Sequence, residues 1–69
     1  MDKYIELNSF IKVNHLASTG GQAKVLIRSG AIRVNEEVET RNRRKLHAGD
    51  IVEYTETGKK YRVEEERCR

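Results

Sequence analysis

Residues 18–40, STGGQAKVLIRSGAIRVNEEVET, hold a helix start, a helix stop and an apparent hairpin in one short run. Thr19 followed by Gln22 fits a capping box. The threonine oxygen can accept from the Gln22 N–H while the glutamine side chain reaches back to the cap. Ser18, one residue earlier, is an equally good cap. Ala23, Leu26 and Ile27 form an apolar stripe at helical spacing. Gly30 stands where a helix closes through a left-handed residue and a side chain would clash. The run therefore predicts a helix of about ten residues ending at this glycine. Beyond it, Ile32 and Val34 share one face of a strand and Arg33 the other. Asn35 and Glu36 read as a turn, after which EVET returns with Val38 pointing inward.

Upstream, KYIEL reads as a short strand, and Leu7, Phe10, Ile11 and Asn14 follow helical periodicity. A first helix is expected over about residues 8–15. Downstream, RNRRK reads as a polar basic loop, AGD as a turn and IVEYT as a strand. A second turn around Gly58 leads into KKYRVEE, and the terminal EEERCR is expected to be solvated. Helices precede a run of antiparallel strands, which is an α+β order: two short N-terminal helices on a small antiparallel sheet of about four strands. The expected core is Leu7, Phe10, Ile11, Leu16, Ala23, Leu26, Ile27, Ile32, Val34, Val38, Leu46, Ile51 or Val52, and Val63.

The chain has 69 residues and no proline or low-complexity linker, so a single domain over 1–69 is expected. A core this small leaves little room for a deep catalytic cavity. Charged residues make up 36% of the chain with both signs mixed, unlike a disordered polyelectrolyte. The formal net charge is only +3, but its distribution is uneven. From Lys24 to His47 seven cations face three acids, whereas the rest of the chain has seven cations and eight acids. A basic segment of this kind suits an anionic partner, nucleic acid above all. Cys68 is the single cysteine, so no internal disulfide is possible. The opening MDKYIELNSF lacks the pattern of a secretion signal, and no segment is long and apolar enough to span a bilayer. A cytoplasmic protein is expected.

Catalytic and metal-binding patterns are absent. His15, His47 and the distant Cys68 have no metal-ligand spacing, and no serine stands in a nucleophile turn. No cofactor, small-molecule substrate or enzymatic role is expected. What stands out is basic. Thr19, Gly20 and Gly21 open a helix whose free N–H groups and dipole could hold a phosphate, or the glycines merely let the chain turn. Lys24 and Arg28 are four apart on one flank of that helix, which by itself fits a solvated face. Arg33 either meets an external anion or pairs across strands with Glu37 or Glu39. Arg41, Arg43, Arg44 and Lys45 fall within five residues with no acid between them. Arginine forks suit bidentate contact with phosphate.

Together, STGGQAKVLIRSGAIRVNEEVETRNRRKLHAGDIV resembles the alpha-L RNA-binding domain, the module named after the fourth small-subunit ribosomal protein. Leu26, Ile27, Gly30, Ile32, Val34, Asn35, Gly49 and Asp50 stand at the places of its LIxxGxVxVN ending and GD strand. The GGQAK variant with a basic stretch after VET is similar to its small stand-alone bacterial members. The resemblance implies binding to structured RNA, ribosomal or transfer RNA, and for stand-alone members a role beside a ribosomal particle in assembly or quality control. Carried over position by position, it nominates Gln22, Lys24, Arg28, Arg33, Arg41, Arg43, Arg44 and Lys45 as the RNA contact. Two places depart from the pattern. Glu36 replaces the glycine after the asparagine, which is expected to loosen the hairpin tip. Gly20 stands where relatives often carry a basic residue. The alternative reading is a protein-interaction module that docks its basic face on an acidic protein, with DNA a third choice for want of a base-reading helix.

Overall fold

A computed structural model describes residues 2–69. Its elements are β1 (Ile5–Glu6), α1 (Leu7–Val13), α2 (Gly20–Arg28), β2 (Ile32–Val34), β3 (Glu37–Val38), β4 (Lys45–Leu46), β5 (Ile51–Tyr54) and β6 (Lys59–Arg62), with a 3-10 turn at Glu65–Arg67. The α+β order expected from the sequence is present. The main sheet is antiparallel with strand order β3-β2-β5-β6, and β1 pairs with β4 as a separate two-stranded ladder. The sequence gives no sign of that second ladder: Lys45 at the end of the expected loop, with Leu46 after it, pairs with Glu6 and Ile5.

The capping of α2 follows the sequence closely. Thr19 Oγ1 accepts from the Gln22 N–H at 3.1 Å. Gln22 reaches back one residue further than expected, its Oε1 accepting from the backbone N–H and the hydroxyl of Ser18 at 3.0 and 2.7 Å. At the other end, the N–H groups of Gly30 and Ala31 donate to the carbonyls of Ile27 and Leu26, with Gly30 at φ +83°. This is the closure that glycine supplies without strain.

α1 ends in the same way with a less suitable residue. The N–H groups of His15 and Leu16 donate to Lys12 and Ile11, and His15 holds φ 61°. The helix therefore stops at Val13, short of the expected residue 15. Its start has no side-chain cap; instead the Leu7 and Asn8 N–H groups donate to the carbonyls of Arg44 and Asn42. The backbone of the basic segment is thus the cap of α1.

The hairpin tip contradicts the expectation of a loose turn. Asn35 and Glu36 have φ 51° and 72° and leave two residues between β2 and β3, as in a tight primed turn. Asn35 explains the tightness. Its backbone N–H donates to Ile51 O, its Oδ1 accepts from the Ile51 N–H, and its amide donates to Asp50 Oδ1. The Glu36 carbonyl accepts from Arg33 Nη2 at 3.1 Å.

Leu7, Phe10, Ile11, Ala23, Ile27, Ile32, Val34, Leu46, Val52 and Val63 form the core as expected. Leu16 and Leu26 are half-buried against it. Val38 is not part of it and is 58% exposed. Val38 lies directly opposite Arg33 in the ladder, and opposite residues share a face, so it points outward with the arginine. The chain end is the other correction. Cys68 is only 8% exposed, and Arg69 exchanges two backbone hydrogen bonds with Tyr4. The charges of EEERCR suggest solvent, but the 3-10 turn folds the last residues back beside β1.

Candidate nucleic-acid interface

The helical layer is where charge is least compensated. Between Leu7 and Asn35 the sequence has Lys12, Lys24, Arg28 and Arg33 and no acid. Lys12, Lys24 and Arg28 are exposed, and none takes part in an ion pair among the described residues. Lys12 was not singled out from the sequence. Its Nζ lies 4.0 Å from where a Cβ on Gly20 would sit, so it stands at the opening of α2. A Cβ on Gly21 would meet nothing closer than Thr19 Oγ1 at 3.9 Å, and neither glycine has positive φ. Crowding and turn geometry therefore do not explain the pair. What the glycines do is leave the first turn of α2 open to approach.

The basic segment is less free than its composition suggests. Arg41 grips Glu39 with both Nε and Nη2 at 3.0 Å, and its backbone N–H donates to the same carboxylate at 3.0 Å. Arg44 Nε reaches Glu39 Oε1 at 3.1 Å, and its Nη1 lies 3.5 Å from Asp50 Oδ2. Arg43 Nε lies 3.4 Å from Glu6. Lys45 Nζ sits 4.8 Å above the ring of Tyr4, a cation–π contact. Three of the four cations thus meet acids from outside the segment, Glu6, Glu39 and Asp50, and the fourth, Lys45, meets an aromatic ring. The four basic residues still line one open hollow of about 490 Å3. Arg41 and Arg43 are 74% and 78% exposed, so both can turn toward an external anion.

These pairs are visible in the titration of the groups. The hydrogen bonds and charge of Arg41, joined by Arg44, outweigh burial and bring Glu39 down from 4.5 to about 2. The same contact raises Arg41. For Asp50, burial works against ionisation, but the His47 N–H, the Asn35 amide and Arg44 together hold it below its usual range.

Arg33 is on the outer face of the main sheet as expected, but its partner differs. The register puts Glu53 directly opposite it on β5, and the carboxylate lies 3.9 Å away. Glu37 pairs with Val34 instead. Arg33 Nε is buried without a hydrogen-bond partner.

Comparison with known proteins places this architecture. The S4 domain family model matches residues 1–64. The chain belongs to the S4 domain family. Among curated relatives, the Bacillus subtilis (strain 168) protein named "Probable ribosome maturation protein RlbA" is 39% identical over 49 residues, covering 71% of this chain and 69% of that protein. The Escherichia coli (strain K12) protein named "Putative RNA-binding protein YbcJ" is 37% identical over 51 residues, covering 74% of this chain and 73% of its own length. A Shigella flexneri protein, "Uncharacterized protein YbcJ", matches to the same extent.

Among the described residues no three of His, Cys, Asp and Glu converge as metal ligands. His47 Nε2 contacts Asp2 at 2.9 Å, and His15 closes α1. Three further cations missed by the sequence reading, Lys59, Lys60 and Arg62, lie on edge strand β6. Lysine on an edge strand discourages pairing with other chains. Among the described residues no helix is long and apolar enough to cross a membrane.

Proposed function

We propose that this S4 domain binds structured RNA without catalysis, with ribosomal RNA as the foremost target and a role in ribosome assembly or quality control. The observation that carries the reading is the helical layer, whose three cations, Lys12, Lys24 and Arg28, stand in a run from Leu7 to Asn35 that has no acid. Lys24 and Arg28 on α2, with Lys12 at its opening, supply charge that takes part in no ion pair among the described residues. Gly20 and Gly21 leave the N-terminal amides of that helix approachable, and Thr19 and Gln22 fix its first turn. Arg41, Arg43 and Lys45 extend the surface through the basic segment. Exposed ion pairs are worth roughly 0–1 kcal/mol, so exchanging a carboxylate for a phosphate there costs little. Arg44, held by two acids, keeps the segment in shape, and Arg33 adds charge beside the hairpin. The printed names of the relatives, one for ribosome maturation and one for RNA binding, agree with this reading.

Recognition of this kind works through backbone charge and shape. Crosslinking in cells followed by sequencing of the bound RNA tests it. Enrichment of ribosomal or transfer RNA is expected. Recovery of protein partners alone, unaffected by ribonuclease, would instead assign the basic face to an acidic protein.

A further inference from the structure

A groove runs along α2 from Gly21 to Leu26. Leu16, Gly21, Gln22, Val25 and Leu26 line it, and it encloses about 390 Å3. This is within the range of small-ligand sites. Val25 forms its outer wall and is 68% exposed. A valine there helps neither the core nor the helix, since β-branching restricts its rotamers. Gly21 is equally unexplained by the fold: its φ is not positive and a Cβ would meet only Thr19 Oγ1. Glycine weakens a helix relative to alanine, so its presence is better accounted for by the open end it gives the groove.

Gln22 adds a fixed polar group. Its Oε1 accepts from the Ser18 N–H and hydroxyl. A backbone N–H can only donate, so the positions of oxygen and nitrogen in this amide are determined. The NH2 group hydrogen-bonds to no acceptor among the described residues. Lys24 and Lys12 lie on the same acid-free layer. The groove extends along the helix from Gly21 to Leu26, less than two helical turns. That is too short for a partner helix, which needs anchors over two turns or more.

We propose that this groove seats an unpaired RNA base. The base lies against Val25 and Leu26, an acceptor on its edge takes the Gln22 amide N–H, and Lys12 and Lys24 meet the neighbouring phosphates. The proposal rests on the RNA-binding reading above and adds to it a preference for unpaired over fully paired RNA.

Two probes test it with the full chain: a pool of RNA hairpins with randomised loops, and a fully paired RNA duplex of equal length. The wild type is expected to bind the hairpin pool more tightly. Val25→Ser changes no charge and alters an exposed position, so circular dichroism should stay native. It is expected to weaken pool binding roughly fivefold to tenfold through lost apolar burial, with duplex binding unchanged and Val25→Ile restoring the preference. A wild type without preference, or a Val25→Ser protein that keeps it, overturns the proposal. Loss of a protein partner in that variant with both RNA affinities intact also overturns it, assigning the groove to protein docking. Failure of the wild type to bind either RNA would remove the RNA reading itself.

Discussion

Of the three described residues with a side chain and positive φ, Asn35 tolerates that geometry and two, His15 and Glu36, stand where glycine would suit better. His15 at φ 61° closes α1 and Glu36 at φ 72° completes the β2–β3 turn. Left-handed geometry costs a residue with a side chain on the order of 1–2 kcal/mol, partly offset by the entropy that glycine loses on folding. Glu36→Gly should therefore stabilise the domain by about 0.5–1 kcal/mol. A thermal melt would show it as a rise of a few degrees, and an unchanged or lower midpoint would mean that the turn is not strained. The sequence exposed the mismatch at Glu36 but not its outcome. The tightness comes from Asn35, whose three hydrogen bonds to Asp50 and Ile51 depend on a strand sixteen residues away. His15 gave no sequence signal, because nothing local marks a histidine as a helix stop.

The elements show where local reading succeeds. α2 was legible from end to end because Thr19, Gln22 and Gly30 act through bonds to near neighbours. The basic segment was not, because its acids come from β1, from Glu39 and from the start of β5. Glu39 is the centre of this arrangement and gives it a pH signature. Its folded value of about 2 lies below the ordinary 4.5, so its contribution is complete above about 4.5 and is lost as pH falls toward 2. Stability measured by urea unfolding should decline through that window, and Glu39→Gln should flatten the decline. The same variant releases Arg41 from its partner and leaves Arg44 with Asp50 alone. At neutral pH it should be less stable than the wild type but bind RNA at least as tightly. Weaker RNA binding in a folded Glu39→Gln protein would show that the ion pairs themselves shape the interface.

At the scale of the whole molecule, the sequence conveys the layer order and most of the core but misleads at one edge of the main sheet and at the chain end. Val38 faces solvent because pairing register, not alternation alone, decides the inner face. The C-terminus is part of the fold because Cys68 is buried and Arg69 pairs with Tyr4. Deleting Cys68 and Arg69 should cost about 2 kcal/mol, from two hydrogen bonds and a small apolar burial. Denaturant unfolding that leaves the midpoint unchanged would place those residues outside the cooperative unit.

Charge is also laid out at this scale. The densest basic run is largely compensated, while the helical layer with fewer cations is not. The account therefore turns on Lys24 and Arg28. The direct measurement is RNA affinity as a function of salt for the wild type and for Lys24→Gln with Arg28→Gln. The logarithm of the association constant should fall linearly with the logarithm of salt concentration, and each lost phosphate contact should reduce the slope by roughly 0.7–0.9. The double variant should stay folded, bind more weakly and show a slope shallower by roughly 1.5. A folded double variant with the affinity and salt slope of the wild type would contradict the assignment of RNA binding to the helical face.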